Sequence, residues 1–355
     1  MGAILTRRAG HSPVRAFGFI LVVLGEAAAL PAADDGGFYA LAYSPDGRQV
    51  ASVGQDRKLR VWRVSDGRVV CERTADVPLR SLAYSAKGDE IAAGGNDRHV
   101  YLWHVERNDL RPVWHKQLAH GDVSAVAFSP DGRWLACGTL GGDVVQFLDV
   151  PGGTLRRTAW YGGNGISSVA FLHDGRTLIS GGQVFTVWDI VKLKLQTQVE
   201  ETTRPAADEP GSPDSAIRHR NMMGWTTCLA ISPDDSWVVA AGVAAREDEG
   251  RPLSVVMIDP KAGKIVRTLG RLSDPVTGVA ASCDGKYVAA ADDHGVVRIW
   301  EVKTGKLTQT LRSGNKHARS VVFAPKGTTL SVAGDAGKIE CWDDVTGKPQ
   351  ASLTP

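Results

Sequence analysis

One unit recurs seven times along this chain of 355 residues, and that recurrence restricts the fold more than any other feature. The third copy shows it plainly. Val126-Ala127-Phe128-Ser129 is an apolar run ending in Pro130-Asp131-Gly132-Arg133, Leu135-Ala136-Cys137-Gly138 follows at once, and a third run spans Val144 to Val150. This reads as strand, tight turn, strand, strand. Pro130 presets φ at the second turn position, Asp131 suits the third, and Gly132 supplies the backbone conformation a hairpin exit needs. The corresponding turns are Ser44-Pro45-Asp46-Gly47, Ser85-Ala86-Lys87-Gly88, Ser129-Pro130-Asp131-Gly132, Leu172-His173-Asp174-Gly175, Ser232-Pro233-Asp234-Asp235, Ser282-Cys283-Asp284-Gly285 and Ala324-Pro325-Lys326-Gly327. Their starts lie 41, 44, 43, 60, 50 and 42 residues apart. Each turn is followed by a β-rich run and then by a strand centred on one large side chain: Trp62, Trp103, Phe147, Trp188, Met257, Trp300 and Trp342 in turn. A fourth, shorter strand, such as Lys306 to Leu311, leads into the next unit.

Four short strands at a period slightly above forty residues resemble the WD40 family of β-propellers, over a stretch running from Phe38 to the C-terminus. The serial Ser-Pro-Asp-Gly turns and the spaced tryptophans carry that resemblance. There are departures. Trp188-Asp189 and Trp342-Asp343 keep the family's naming pair, whereas Trp62-Arg63, Trp103-His104 and Trp300-Glu301 do not. Asp56 and Asp97 match the family's structural aspartate, while His294 and Ala336 occupy its place later. The resemblance implies an all-β fold, a seven-bladed β-propeller in which each blade is a four-stranded antiparallel sheet and the family's Asp, His, Ser and Trp hydrogen-bond network is incomplete in most blades. A single repeat leaves its sheet faces open until neighbours stack on them, so the ring must close. The chain starts on an inner strand, Phe38 to Tyr43, and ends on an outer one, Gln350 to Leu353. This order predicts closure by packing of blade seven on blade one, without an exchanged strand.

Residues 1–33 have a different physics. Arg7, Arg8 and Arg15 precede the apolar run Phe17 to Leu24, and Ala27, Ala28, Ala29, Ala32 and Ala33 follow before the first aspartates. That is the layout of a signal peptide, with an apolar run too short to span a bilayer comfortably. It predicts an exported, periplasmic or secreted chain; a cytoplasmic chain with an over-extended start is the alternative. Residues 34–355 then form a single propeller. The three arginines against Glu26 supply the whole formal charge of +2, so the body is close to neutral. A neutral body disfavours nucleic acid as a partner. Cys71, Cys137, Cys228, Cys283 and Cys341 lack the paired spacing of a zinc or redox motif, and four lie in expected strands. They read as small core residues, which export would require to be shielded by burial.

Loops carry the functional expectations. Turns between first and second strands and between third and fourth strands are short; the resemblance implies that they share one face, leaving the variable connections on the opposite face. The insertions are 200–224, between blades four and five, and 244–252, inside blade five; proline, charge and missing periodicity mark both as loops. The first ends in Arg218, His219, Arg220, Asn221, Met222, Met223, Gly224 and Trp225, where basic residues beside methionine and tryptophan suit peptide contact. Acidic Glu247-Asp248-Glu249 lies near enough in the fold to pair with those arginines.

Aligned inner strands give a second candidate. Their third positions are Ala40, Ser81, Ala125, Ser168, Cys228, Gly278 and Ser320, all small, as crowding around a central channel demands. Their second positions are Tyr39, Arg80, Ser124, Ser167, Thr227, Thr277 and Arg319. Blades seven, one and two are consecutive in a closed ring, so Arg319, Tyr39 and Arg80 are expected to cluster at the channel mouth, with Arg57 and Arg98 adding positive charge on the same face. Guanidinium groups beside a tyrosine suit carboxylates or acidic peptide segments.

Enzyme readings fare less well. Inward positions are small or neutral, the repeated turn aspartates are explained by turn chemistry, and the tryptophans by blade packing. His115, His120, Asp122 and Trp114 lie close together in sequence, but two histidines without a third ligand form a weak metal set. No nucleophile elbow, phosphate-cradling loop or zincin motif occurs. The expectation is a non-enzymatic scaffold without cofactor or metal, binding a protein or peptide on the loop-rich face. A hydrolase- or lactonase-type propeller with its site at the channel mouth is the alternative.

Overall fold

Burial falls from the axis outward, and the residue types follow it. The computed structural model of the protein describes residues 37–142, 144–160, 165–182, 185–192, 217–220, 225–243, 253–343 and 346–354. Within them, blade one is β1 (Phe38–Tyr43), β2 (Gln49–Gly54), β3 (Lys58–Arg63) and β4 (Val69–Thr74), and blade two is β5 (Leu79–Tyr84), β6 (Glu90–Gly95), β7 (His99–Glu106) and β8 (Asp109–Gln117). Blade three is β9 (Asp122–Phe128), β10 (Trp134–Leu140), β11 (Val144–Asp149) and β12 (Leu155–Trp160); blade four is β13 (Ile166–Phe171), β14 (Thr177–Gly182), β15 (Phe185–Asp189) and β16 (Ile217–Arg220). Blade five is β17 (Trp225–Ile231), β18 (Val238–Val243), β19 (Leu253–Asp259) and β20 (Lys264–Leu272). Blade six is β21 (Val276–Ala281), β22 (Tyr287–Asp292), β23 (Val296–Glu301) and β24 (Leu307–Arg312), and blade seven is β25 (Ala318–Phe323), β26 (Thr329–Gly334), β27 (Ile339–Asp343) and β28 (Pro349–Leu353). Every sheet holds its four strands in chain order, and neighbours pair antiparallel.

Inner strands such as β1, β13, β21 and β25 are buried at every position, because each sheet is sandwiched between two others. Val, Ala, Leu, Ile and Phe accordingly dominate them, with Ser, Thr, Tyr and, at Arg319, a cation set among the apolar residues. Outer strands are more open: β28 is exposed at all but its last residue, β4 is half-buried except for exposed Glu72 and Thr74 and buried Cys71, and between them they carry Glu, Arg, Thr and Gln. The expected seven-bladed ring is the observed fold. One expectation is corrected: 200–224 is not loop throughout, since Ile217–Arg220 pairs with Phe185–Trp188 as the outer strand of blade four. Without it the third strand would be an open edge.

Closure follows the expected route. Blade seven is built wholly from the C-terminal repeat, and β1 packs against β25 and β26. The seam is both apolar and polar. Phe38, Leu41, Tyr43 and Trp62 share one cluster with Val322, Ala333, Ile339 and Leu353. Leu41 N donates to Ser320 Oγ at 3.1 Å, and the Tyr43 and Ser331 hydroxyls lie 2.6 Å apart.

The lower face, which bears the Ser-Pro-Asp-Gly turns, has contacts of its own between blades. At Gly47 (φ +74°) an added Cβ would lie 3.3 Å from Pro325, at Gly88 (φ +77°) 3.0 Å from Pro45 and at Gly285 (φ +69°) 3.6 Å from Pro233, so at these three junctions the fourth turn residue of one blade lies on the second of the preceding blade, whereas Gly132, Gly175 and Gly327 meet nothing within 4 Å. Blades four and five replace both partners of this contact together. His173 stands where proline is usual and Asp235, at φ +58°, where glycine is usual. Asp235 accepts from the His173 backbone N at 2.9 Å, and its carboxylate lies 2.7 Å from His173 Nδ1. Elsewhere on this face the turn aspartates serve the turns: Ser44, Ser129 and Ser282 donate to Asp46, Asp131 and Asp284 at 2.7, 2.6 and 2.8 Å.

Inside the blades the hydrogen-bond network is sparse. Trp62 Nε1 donates to Ser52 Oγ at 2.8 Å and Trp188 Nε1 to Ser180 Oγ at 2.7 Å. The equivalent positions in blades two, six and seven are Ala93, Ala290 and Val332, which offer no acceptor. The four cysteines Cys71, Cys137, Cys228 and Cys341 are buried thiols, Cys283 is partly exposed, and none forms a disulfide.

Candidate functional site

The second position of each inner strand decides how a blade meets its neighbour on the upper face. In blades three to six it is a hydroxyl that reaches across to the next blade. Ser124 Oγ donates to Ile166 O, Ser167 Oγ to Thr226 O, Thr227 Oγ1 to Val276 O at 2.9 Å, and Thr277 Oγ1 to Ala318 O. Four buried clasps thus join blades three through seven. Sequence reasoning missed them, because a serine or threonine in a column of mixed residues looks unremarkable until the carbonyl it meets, 41 to 59 residues away, is known.

Across blades seven, one and two the clasp is replaced by a stack. Arg319 and Arg80 each place the guanidinium carbon 5.5 Å from the centroid of the Tyr39 ring. The two cations come from the blades on either side of blade one, and both approach this one phenol ring. Such contacts are attractive through the ring quadrupole, more so when desolvated. Tyr39 is 7% exposed and Arg319 9%, while Arg80 is half-buried. The expected clustering of these three residues is therefore observed.

Two neutral amides fix the stack. Tyr39 Oη donates to Gln55 Oε1, and Arg80 Nε donates to Asn96 Oδ1. Gln55 and Asn96 open the turns after β2 and β6, and each is followed by an aspartate and then an arginine. Asp56 accepts from Lys58 N at 3.1 Å and pairs with Arg60; Asp97 accepts from His99 N at 3.0 Å and from Tyr101 Oη at 2.9 Å. Arg57 and Arg98 follow, both exposed and both at φ +65°. The turns of blades one and two are thus the same device: an amide holding the axial side chain, an aspartate closing the turn, and an arginine on a left-handed residue. In blade six, Asp292 closes the turn instead, accepting from His294 N at 3.0 Å and Val296 N at 2.9 Å. Gly295 and Gly337 take the left-handed position in blades six and seven, at φ +71° and +64°.

One further carboxyl belongs to this region. Burial pushes Asp122 of blade three upward, Arg80 and Arg98 pull it back, and Asp97 adds to the rise; its affinity for a proton ends above its ordinary value.

The small third-position residues pack between blades. A Cβ at Gly278 would lie 3.3 Å from Val321 N, which is why larger side chains are excluded there. The other candidate patch is elsewhere. Arg218 and Arg220 fall on β16 and Trp225 opens β17, placed by backbone alone, while Met222, Met223 and the 244–252 insertion lie outside the described residues. Blades four and five sit across the ring from blade one, so the two patches are separate. The sequence cluster before blade three also disperses. Trp114 Nε1 donates to Val150 O at 2.8 Å, the His115 ring lies against Tyr101, and His120 meets Trp160 edge-on. Among the described residues no three His, Cys, Asp or Glu side chains converge as a metal set.

A closed ring of seven four-stranded antiparallel sheets, built from one repeated unit, defines a β-propeller. The WD domain, G-beta repeat description matches residues 28–63, 69–104, 113–146 and 263–301, and the chain belongs to the WD40-repeat family. Propellers of this family commonly act as protein-interaction scaffolds and are usually non-catalytic. A comparison with curated proteins finds no match.

Proposed function

We propose that this propeller is a non-catalytic scaffold that holds a protein partner on its upper face, over the arc formed by blades seven, one and two. The observation that carries this reading is the Arg319, Tyr39 and Arg80 stack. Four blades use the same strand position for a hydroxyl clasp, which shows what blade contact alone requires. Large cationic and aromatic side chains in the remaining three exceed that requirement, and Arg and Tyr are the residues enriched at the energetic centres of protein interfaces. The stack is set by two amide hydrogen bonds, so little side-chain freedom remains to be lost on binding. The basic, apolar and small-residue order of residues 1–33 supports export of the mature chain.

The test is affinity capture with tagged chain from its own cells, comparing wild type with Arg80→Glu and with Arg133→Glu, an exposed arginine of the lower face. A protein recovered by wild type and Arg133→Glu and lost with Arg80→Glu, at unchanged melting temperature, supports the reading. Recovery undiminished by Arg80→Glu refutes it. Mass spectrometry of the captured chain's own N-terminus tests export, which predicts removal of the first ~30 residues.

A further inference from the structure

We infer that the segment recognised on this face is an acidic peptide, and that Arg57 and Arg98 are the two groups that read its carboxylates; this rests on the proposed use of the upper face. The argument begins with backbone strain. A residue with a Cβ is disfavoured in the left-handed region, and glycine enters it freely. Blades six and seven place Gly295 and Gly337 at this turn position, so the ring itself is satisfied by glycine there. Blades one and two instead hold arginine at φ +65°. Arginine contributes nothing to the turn that glycine would not, and among the described residues neither Arg57 nor Arg98 donates a side-chain hydrogen bond or forms an ion pair. Strain retained twice, in adjacent blades, for two exposed guanidinium groups points to what those groups present outward.

The wiring below them gives the pair a common orientation. Gln55 and Asn96, two residues before each arginine, are the amides that hold Tyr39 and Arg80. Each exposed arginine is therefore anchored to the same stack through an equivalent turn, and the two project from neighbouring blades as a matched pair. Planar guanidinium groups bind carboxylates through two parallel hydrogen bonds. The site thus fits a chain segment with two acidic side chains spaced to reach adjacent blades.

The surroundings favour isolated carboxylates over a polyphosphate. The chain has 41 basic and 39 acidic residues, so no bulk field gathers a polyanion. Asp56, Asp97 and Asp122 are interleaved with the arginines and repel a continuous run of phosphates.

The inference is tested by fluorescence anisotropy on the chain lacking residues 1–33, with a fluorescein-labelled glutamate-rich peptide, its glutamine counterpart and a duplex DNA. Wild type is compared with Arg57→Gly/Arg98→Gly, which leaves the stack intact. The expected result is binding of the glutamate peptide, weakened about tenfold or more in the double variant, falling with added salt, while the melting temperature of the variant equals or exceeds that of wild type. Equal affinity for the glutamine peptide, equal affinity of the double variant, no binding of the glutamate peptide, or tighter binding of DNA each overturns the inference. None of these touches the capture experiment with Arg80→Glu, so failure of the acidic assignment is distinguishable from failure of the scaffold reading.

Discussion

Tyr43 and Tyr84 occupy the same place in adjacent blades, and replacing each by phenylalanine should move stability in opposite directions. Both are buried, at 4% and 2% exposure, and both end inner strands, β1 and β5. Tyr43 reaches back to blade seven, where its hydroxyl lies 2.6 Å from Ser331 Oγ. Tyr84 reaches back to blade one, where the position equivalent to Ser331 is Ala51, and its buried hydroxyl has no partner among the described residues. Burial pushes both phenols far above their ordinary range, with Cys341 adding to the rise at Tyr43 and Ser331 opposing it, so both are neutral donors. Tyr43→Phe removes one net hydrogen bond, worth about 0.5–1.5 kcal/mol. Ser331 retains Cys341 Sγ at 3.2 Å, so the loss stays near about 1 kcal/mol. Tyr84→Phe removes an orphaned polar group whose desolvation costs about 1–3 kcal/mol, and should stabilise by about 1 kcal/mol. Equilibrium urea unfolding should therefore separate the two variants by about 2 kcal/mol, with equal slopes. Equal destabilisation by both substitutions would refute the reasoning, since it would mean that Tyr84 has a bond the ring geometry does not provide.

The His173 and Asp235 pair supplies a second test. Asp235→Gly relieves the left-handed backbone but removes the carboxylate that His173 meets, and His173→Pro removes both groups that meet Asp235; the double variant creates the proline and glycine pair seen at Gly47, Gly88 and Gly285, so a double-mutant cycle should give a favourable coupling of about 1–3 kcal/mol, and strict additivity would remove the pair from the account. At the seam of blades six and seven, burial pushes Glu340 up, but Lys338 at 2.6 Å, Ser313 and the Gly314 amide pull it below its usual 4.5. A depressed folded-state value contributes stability that is present above the unfolded value and lost as pH falls through the folded one. Urea midpoints measured downward from pH 4.5 should thus fall more steeply in wild type than in Glu340→Gln, and parallel acid limbs would contradict the assignment.

Much of this was legible in the sequence because a propeller is a one-dimensional code. The turn residues Ser129, Pro130, Asp131 and Gly132 act within a few positions of one another, so their chemistry is local, and their period states the number of blades. The Arg319, Tyr39 and Arg80 stack was also accessible, since closure makes blades seven and one neighbours and the aligned column does the rest. Contacts that depend on the partner column were not. Ser124 gains its role only from a carbonyl in the next blade, and Ser331 rescues Tyr43 where Ala51 leaves Tyr84 unpaired. A joint reading of two turn columns would have exposed His173 with Asp235, because the missing proline and the missing glycine fall in consecutive repeats. The left-handed conformation of Arg57 and Arg98 was likewise marked by the glycines that replace them in blades six and seven. The outer strand of blade four escaped because Ile217–Arg220 follows a long insertion, which broke the spacing that located the other outer strands.

The central claim is that the partner sits on the upper face over blades seven, one and two. Site-specific photocross-linking reads this directly, with a benzophenone side chain placed at Arg57 on that face and, in a second protein, at exposed Arg176 on the lower face. The account predicts a covalent adduct with the captured partner from position 57 and none from position 176. An adduct from 176 with none from 57 would contradict it.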